Sequence, residues 1–390
     1  MGCSRKIEDL MAHSSWIRKM FEEGANMKTD GRGPVYDFSL GNPEIEPPEA
    51  LKQRLAELAA SDTPGMHRYM PNAGYEFVRR SIADYLKEET GLSFTAESVI
   101  MSVGAGGGLN AALKALLDPG DKVVCFRPYF VEYEFYVDNH GGKLVKLPTD
   151  DSFLPDLDAF EQAIDEKTRV VLTNSPNNPT GVVYEQELLD EIGGILKKKS
   201  KDNASPVYWL SDEPYRNLIY DADRAPSIFK AYDSSIMVTS HSKDLALPGE
   251  RIGYIGISPN AEDSGKLFDA MTFTNRILGF VNAPALLQRL VAPLQGMTVD
   301  LGWYKRKRDL LYKELIRYGY EVNKPDGAFY MFPKAPSGDD IEFVKKLQQR
   351  RVLVVPGTGF GAPGYFRISY CVNDDVVKGA LPAFRQVLED

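Results

Sequence analysis

Ile236-Met237-Val238-Thr239-Ser240-His241-Ser242-Lys243 runs from a short apolar segment into a polar turn that ends on a lysine. The apolar part has the length and β-branched content of a buried strand. In an open sheet of such strands, ligands bind outside the carboxyl ends. Lys243 therefore stands where an amine nucleophile could meet a carbonyl; a lone lysine is otherwise an ordinary solvated side chain. The pattern recurs upstream in Val123-Val124-Cys125-Phe126, Val170-Val171-Leu172 and Val207-Tyr208-Trp209-Leu210. Helical periods lie between the runs: Leu109, Leu113 and Leu116 recur at i, i+4 and i+7, as do Leu51, Leu55 and Leu58. Continuous apolar strands alternating with helices predict an α/β fold, a mostly parallel central sheet covered by helices on both faces.

The C-terminal part reads differently. Lys305 to Tyr318 predicts a charged amphipathic helix, Ala328 to Phe332 a strand, and Val377, Leu381, Phe384 and Leu388 one face of a final helix. A smaller α+β domain suits this order. The first ~45 residues show no clear period and are expected to pack across the two domains. No internal repeat or low-complexity linker interrupts the chain.

Composition excludes several classes. The 390 residues are 43% hydrophobic and 26% charged, with a net charge of −9, the profile of a globular chain. No apolar run reaches the ~20 residues of a membrane helix. Arg5, Lys6, Glu8 and Asp9 interrupt any signal-peptide core, so a cytoplasmic location is expected. Met1-Gly2-Cys3 lacks the Ser or Thr that a myristoylation pattern places at Lys6. Cys3, Cys125 and Cys371 are too scattered for a disulfide framework, as are His13, His67, His140 and His241 for a metal motif, so no metal is expected. No basic stripe offers a nucleic-acid surface.

The other polar motifs also follow strands. Gly104-Ala105-Gly106-Gly107-Gly108 follows Val99–Val103 and opens the helix of Leu109. Bare amides at a helix N-terminus bind anions. The spacing lacks the third glycine of a dinucleotide loop and the Walker lysine, so one phosphate is the better ligand. Arg251, in Pro248-Gly249-Glu250-Arg251, offers a guanidinium fork for that phosphate, and Ser240 and Ser242 add hydroxyls. Asp212, in Asp212-Glu213-Pro214-Tyr215, is either a helix cap or the partner of a protonated heterocyclic nitrogen. Tyr215 could donate to a phenolate oxygen. Asn174-Ser175-Pro176-Asn177-Asn178-Pro179-Thr180-Gly181 is a turn in any case, one that could aim the Asn178 amide into a cleft. Phe130, after Pro128-Tyr129, is either core or a stacking surface for a flat ring. Arg367, flanked by Phe366 and Ile368, suits a bidentate grip on a carboxylate.

Asn178, Asp212, Tyr215, Lys243, Arg251 and Arg367, in this order and with these Asp-to-Tyr and Lys-to-Arg spacings, resemble the class I/II aminotransferases of fold type I, which use pyridoxal 5'-phosphate. The likeness runs from the Gly41-Asn42-Pro43 turn to Arg367. It implies a large pyridoxal-phosphate-binding domain over 46–290, a small C-terminal domain over 291–390, and a 1–45 segment packing with the latter. It implies that Lys243 carries the cofactor as a Schiff base and later moves the substrate Cα proton. Asp212 would keep the pyridine nitrogen protonated, Asn178 and Tyr215 would bind the ring oxygen, and Phe130 would stack on the ring. The Ala105 and Gly106 amides, Ser240, Ser242 and Arg251 would hold the phosphate. Tyr69 would reach the phosphate of a neighbouring subunit, which implies a homodimer with shared sites. Arg367 would grip the α-carboxylate, helped by the Gly41 turn.

One departure bears on substrate. The family usually has a polar or Ser residue where Gly106 and Gly107 stand, which puts simple aspartate specificity in doubt. Arg276, read as lying in a connecting loop, is a candidate contact for a distal carboxylate. Side-chain specificity is expected in loops near Met20-Phe21, Arg32, Tyr129 and Arg276. The expected reaction is transamination between an L-amino acid (aspartate or another) and a 2-oxo acid, with 2-oxoglutarate as acceptor. A β-lyase, decarboxylase or synthase on the same scaffold is the alternative. A non-catalytic sensor would need a DNA-binding module, and no basic helix-turn-helix segment precedes Gly41. A nucleotide-binding α/β enzyme would use the glycine run instead.

Overall fold

The computed structural model describes residues 2–12, 16–29, 31–203, 205–222 and 225–389; His13 lies outside the described residues. Seven strands form the central sheet: β1 (Val99–Ser102), β2 (Lys122–Phe126), β3 (Lys143–Leu147), β4 (Thr168–Asn174), β5 (Tyr208–Asp212), β6 (Ser235–Ser240) and β7 (Gly253–Ile257). Their spatial order is β1-β7-β6-β5-β4-β2-β3. Only β7 runs against the others, pairing antiparallel with β1 and β6. The fold is thus the expected α/β arrangement, a mostly parallel central sheet with helices packed on it. Strands β1, β5, β6 and β7 are buried along their whole length, which their near-continuous apolar composition requires.

Register sets up the site. Parallel pairing places Asn174 opposite Asp212 and Asp212 opposite Val238, so the carboxyl ends of β4, β5 and β6 lie side by side. The reversal of β7 sets Gly253 opposite both Ser240 and Ser102. A parallel strand would begin at the far edge of the sheet. Because β7 is reversed, Arg251 enters at the edge where β1 and β6 end.

The helix Gly104–Leu116 leaves that same edge and buries Leu109, Leu113 and Leu116 against the sheet. In the helix Glu49–Ala59, Leu51 and Leu58 are buried but Leu55 is 40% exposed, so the third member of that apolar series faces outward. Gly193 and Gly194 make a local test of packing in the helix Gln186–Asp202. A Cβ on Gly193 would overlap the Ala231 carbonyl oxygen, whereas one on Gly194 would meet nothing. Gly193→Ala should therefore destabilise by about 1–3 kcal/mol. Gly194→Ala should stabilise by about 0.5–1 kcal/mol through helix propensity. Urea unfolding of the two variants decides the point, and equal midpoints would refute it.

The C-terminal part carries the helices Leu301–Tyr318, Asp340–Gln349 and Asp374–Gln386 beside a small antiparallel sheet of Val355–Pro356, Phe366–Ser369 and Tyr330–Met331. The first helix starts four residues before Lys305, where the Asp300 carboxylate accepts from the Gly302 amide. The predicted strand Ala328–Phe332 shrinks to Tyr330–Met331, because Ala328 takes a left-handed φ of 55° that no strand tolerates. Leu388 lies past the end of the last helix.

The N-terminal segment is helical where the sequence showed no period, over Arg5–Ala12 and Trp16–Lys28. Met20 lies in the core of the second helix, and a Cβ on Gly24 would stand 2.7 Å from Leu353. The strand Tyr36–Asp37 then pairs in parallel with Val352–Leu353, while Lys6 forms an ion pair with Asp138 at 2.6 Å. Among the described residues no helix is long and apolar enough to cross a membrane.

Candidate active site

A cavity of about 280 Å³ opens at the carboxyl ends of β4, β5 and β6. Gly41, Ala105, Gly106, Phe130, Asn178, Asp212, Tyr215, Ser240, Ser242, Lys243, Arg251 and Arg367 all line it, brought together from positions more than 300 residues apart. Tyr69 and Arg276 do not. Tyr69 is 89% exposed on this chain. Arg276 lies in the last turn of the helix Ser264–Ile277, exposed beside the Phe273 ring, rather than in a connecting loop. The helix continues to Ile277 because Asn275, just before it, is fully buried and Gly279 turns the chain only afterwards, at φ 89°. Met20 and Phe21 likewise lie within a helix and not in a loop.

Lys243 projects from the one-turn helix His241–Asp244 that follows β6. Its Nζ donates to the Gly41 carbonyl at 2.6 Å and lies 5.5 Å from the centre of the Phe329 ring. Burial, with Arg251 and Arg367 nearby, lowers its ammonium pKa to about 8. A lysine lowered in this way is a nucleophile at moderate pH. The rate at which apoprotein captures pyridoxal phosphate should rise with pH and level off above about 8. A rise continuing to the ordinary lysine range, near 10.5, would contradict this environment.

Asp212 is wholly enclosed. The Tyr133 hydroxyl donates to its Oδ2 at 2.6 Å, while Oδ1 is buried with no hydrogen-bond partner. Desolvation raises its pKa to about 7, against the opposing hydrogen bond from Tyr133. A carboxylate oxygen in that state calls for a cationic N–H donor. Asn174 ties the neighbouring strand ends together: its Nδ2 donates to the Asp212 carbonyl at 2.7 Å, and its Oδ1 accepts from the Asn178 amide at 2.7 Å.

Arg367 lies on the face of its strand opposite Phe366 and Ile368. Its guanidinium is held between the Tyr330 and Phe360 rings, at 4.7 and 4.8 Å from their centres. One Nη donates to Asn178 Oδ1 at 2.9 Å and the other to the Ser39 carbonyl at 2.6 Å, while Nε is buried without a partner. At the opposite end of the cavity, Arg251 approaches Gly104, where a Cβ would stand 2.8 Å from its guanidinium. Gly104 itself has φ 66°. The left-handed φ favours glycine where the helix Gly104–Leu116 begins. Its first amides have no partner within the helix.

The sequence model for "Aminotransferase class I and II" matches residues 34–384. The chain belongs to the class I and II aminotransferase family. It is a transaminase, an enzyme that moves an amino group between an amino acid and a 2-oxo acid, and the lyase, sensor and dinucleotide readings give way to that. It is 34% identical over 363 residues to a probable aspartate/prephenate aminotransferase of Thermus aquaticus, covering 90% of this chain and 91% of the relative. It is 32% identical to an aspartate aminotransferase of Pyrococcus horikoshii, covering 97% and 96%. A solved amino transferase structure from Eubacterium rectale superposes with a TM-score of 0.95 at 40% identity, covering 100% of this chain and 99% of that one.

Transaminases of this family use pyridoxal 5'-phosphate, and the cavity of this aminotransferase fits that group. The unpartnered Asp212 Oδ1 suits a protonated ring nitrogen, the helix amides with Arg251 suit a phosphate, and the Lys243 amine suits a carbonyl. Asn174, Tyr136 and Tyr330 complete the wall, Tyr133 supports it through Asp212, and none of these was singled out from sequence. Asn174 was visible as the first residue of its turn motif. The three tyrosines gave no signal, since a tyrosine in an apolar run is usually core.

Proposed function

We propose that this aminotransferase binds pyridoxal phosphate on Lys243 and transaminates L-amino acids, aspartate among them, with 2-oxoglutarate as acceptor. The observation that carries this is one cavity holding an amine of lowered pKa, a buried carboxylate oxygen without a partner and two guanidinium groups at opposite ends. When bound, the cofactor supplies an electron sink for the carbanion left on deprotonation of the substrate.

The protein's own residues do the rest. Arg251, the Ala105 and Gly106 amides, Ser240 and Ser242 hold the phosphate, with the two serine Oγ atoms 3.1 Å apart. Asp212 keeps the ring nitrogen protonated, and Phe130 packs against the ring. Asn178 has its carbonyl oxygen on Arg367, so its amide N–H is what it offers the ring oxygen, alongside the Tyr215 hydroxyl. Arg367 binds the α-carboxylate, which answers its unpartnered Nε, with the Gly41 turn alongside. Lys243 Nζ, once free, takes the substrate Cα proton.

Residues 46–290 form the cofactor-binding domain and 291–390 the smaller one, with 1–45 packed on the latter and tied to the former through Lys6–Asp138 and the Gly41 carbonyl. The exposure of Tyr69 supports a role across a homodimer interface, where it reaches the partner's phosphate. A cytoplasmic location suits this chemistry. The names of the relatives favour aspartate as donor; a second cation for a distal carboxylate is not among the residues lining this chain's cavity. Incubation with aspartate or other L-amino acids and 2-oxoglutarate, followed by glutamate assay, tests the reading. Glutamate should form with at least one donor, and none with any donor would refute it.

A further inference from the structure

Tyr330 lines the cavity and packs its ring on Arg367, and its hydroxyl meets that of Tyr215. Its Oη is 2.8 Å from Tyr215 Oη, and the rings meet edge to face at 5.5 Å and 83°. Both residues line the cavity and both are buried. Arg367 lies over the face of the Tyr330 ring, and the Gly41 backbone closes on its hydroxyl so tightly that a Cβ there would collide. Strand pairing with Ser369 holds the Tyr330 backbone. The hydroxyl is thus fixed from three sides, and Tyr215 is its one hydrogen-bond partner among the described residues.

We infer that Tyr330 is a positioning residue that acts on the cofactor's ring oxygen through the hydroxyl of Tyr215. The inference rests on the role proposed above for Tyr215. A tyrosine hydroxyl has one proton and two lone pairs. If the Tyr215 proton points at an oxygen in the cavity, its lone pair is free for the Tyr330 proton. A chain of two donors polarises each link, so Tyr330 strengthens the bond Tyr215 makes. Burial pushes the Tyr215 phenol well above its ordinary range, so it stays a donor at working pH. Tyr330 belongs to the C-terminal sheet and Tyr215 to the loop after β5. The pair therefore also joins the carboxylate-binding arginine's support to the ring's.

The test reads the bound cofactor's visible absorption rather than turnover. A donor to the ring oxygen favours its anionic form and lowers the pH midpoint at which the absorption changes. In holoenzyme, Tyr330→Phe keeps the ring that packs on Arg367 and Gly41 and removes only the hydroxyl. The midpoint should rise by about 0.1–0.6 unit, the roughly 10–30% that a second donor adds to one hydrogen bond to a charged group. Tyr215→Phe should raise it further, and Tyr215→Phe with Tyr330→Phe should match Tyr215→Phe alone, since Tyr330 acts only through Tyr215. A shift with Tyr215→Phe but none with Tyr330→Phe overturns this inference and leaves the proposed function standing. An undiminished Tyr330 effect in the double variant also overturns it. No shift with Tyr215→Phe overturns the proposed role of Tyr215 and this inference with it.

Discussion

Lys243→Ala should lose transaminase activity by about 10⁴-fold or more, because one substitution removes both the nucleophile that holds the cofactor and the base that moves the Cα proton. The fold should survive. Lys243 sits in the one-turn helix after β6 and, among the described residues, its amine makes one hydrogen bond, to the Gly41 carbonyl. Burial of its amine is unfavourable, as the lowered pKa states. Pyridoxal phosphate should still bind without a covalent bond through Arg251, the helix amides and Asp212, and added small amines should restore part of the proton transfer. Equilibrium dialysis and a turnover assay with and without methylamine check both parts. Near-normal turnover without added amine would remove Lys243 from the mechanism.

Asp212→Asn should cut turnover by about 10³-fold, the scale of removing a charge aimed at a developing one. It should also stabilise the cofactor-free protein, and the pH dependence gives the sign. The carboxyl titrates near 3.8 when unfolded and near 7 when folded. The folded state therefore binds the proton more tightly, and stability falls as pH rises from about 4 to 7. Above pH 7 the full cost of burying the charge applies, on the order of 4 kcal/mol at 1.4 kcal/mol per unit. Asparagine does not titrate and escapes that cost. Urea unfolding of apoprotein should find the variant more stable at pH 8 and level with wild type at pH 4. A variant less stable at pH 8 would show that Asp212 is there for structure. The site is thus held at the expense of stability, as functional sites often are.

The ends of β4, β5 and β6 were legible because each apolar run stops at a polar motif: Asn174 to Gly181, Asp212 to Tyr215, and Ser240 to Lys243. A parallel sheet then has little choice but to bring them together. Arg251 was legible as a phosphate fork, but its placement depends on the reversal of β7, and no pattern in Gly253–Ile257 encodes strand direction. Tyr330 was hidden in Ala328-Phe329-Tyr330-Met331-Phe332, where both faces are apolar or aromatic and alternation cannot tell wall from core. Tyr133, between Glu132 and Glu134, shows no role until the fold sets it against Asp212. The helix Trp16–Lys28 was missed because Gly24 weakens its propensity, yet only glycine lets the helix approach Leu353. Arg276 lies in the helix because the helix runs on to Ile277, with Gly279 turning the chain after it, rather than ending before Asn275. In each miss, a tertiary contact had overruled the local pattern.

On the proposed mechanism, Lys243 alone carries the cofactor. Holoenzyme reduced with borohydride would fix any lysine-bound pyridoxal phosphate irreversibly, and peptide mass mapping would locate it. The label should fall on the peptide containing Lys243 and vanish in Lys243→Ala. A label on another lysine, or none in the wild-type protein, would contradict the account.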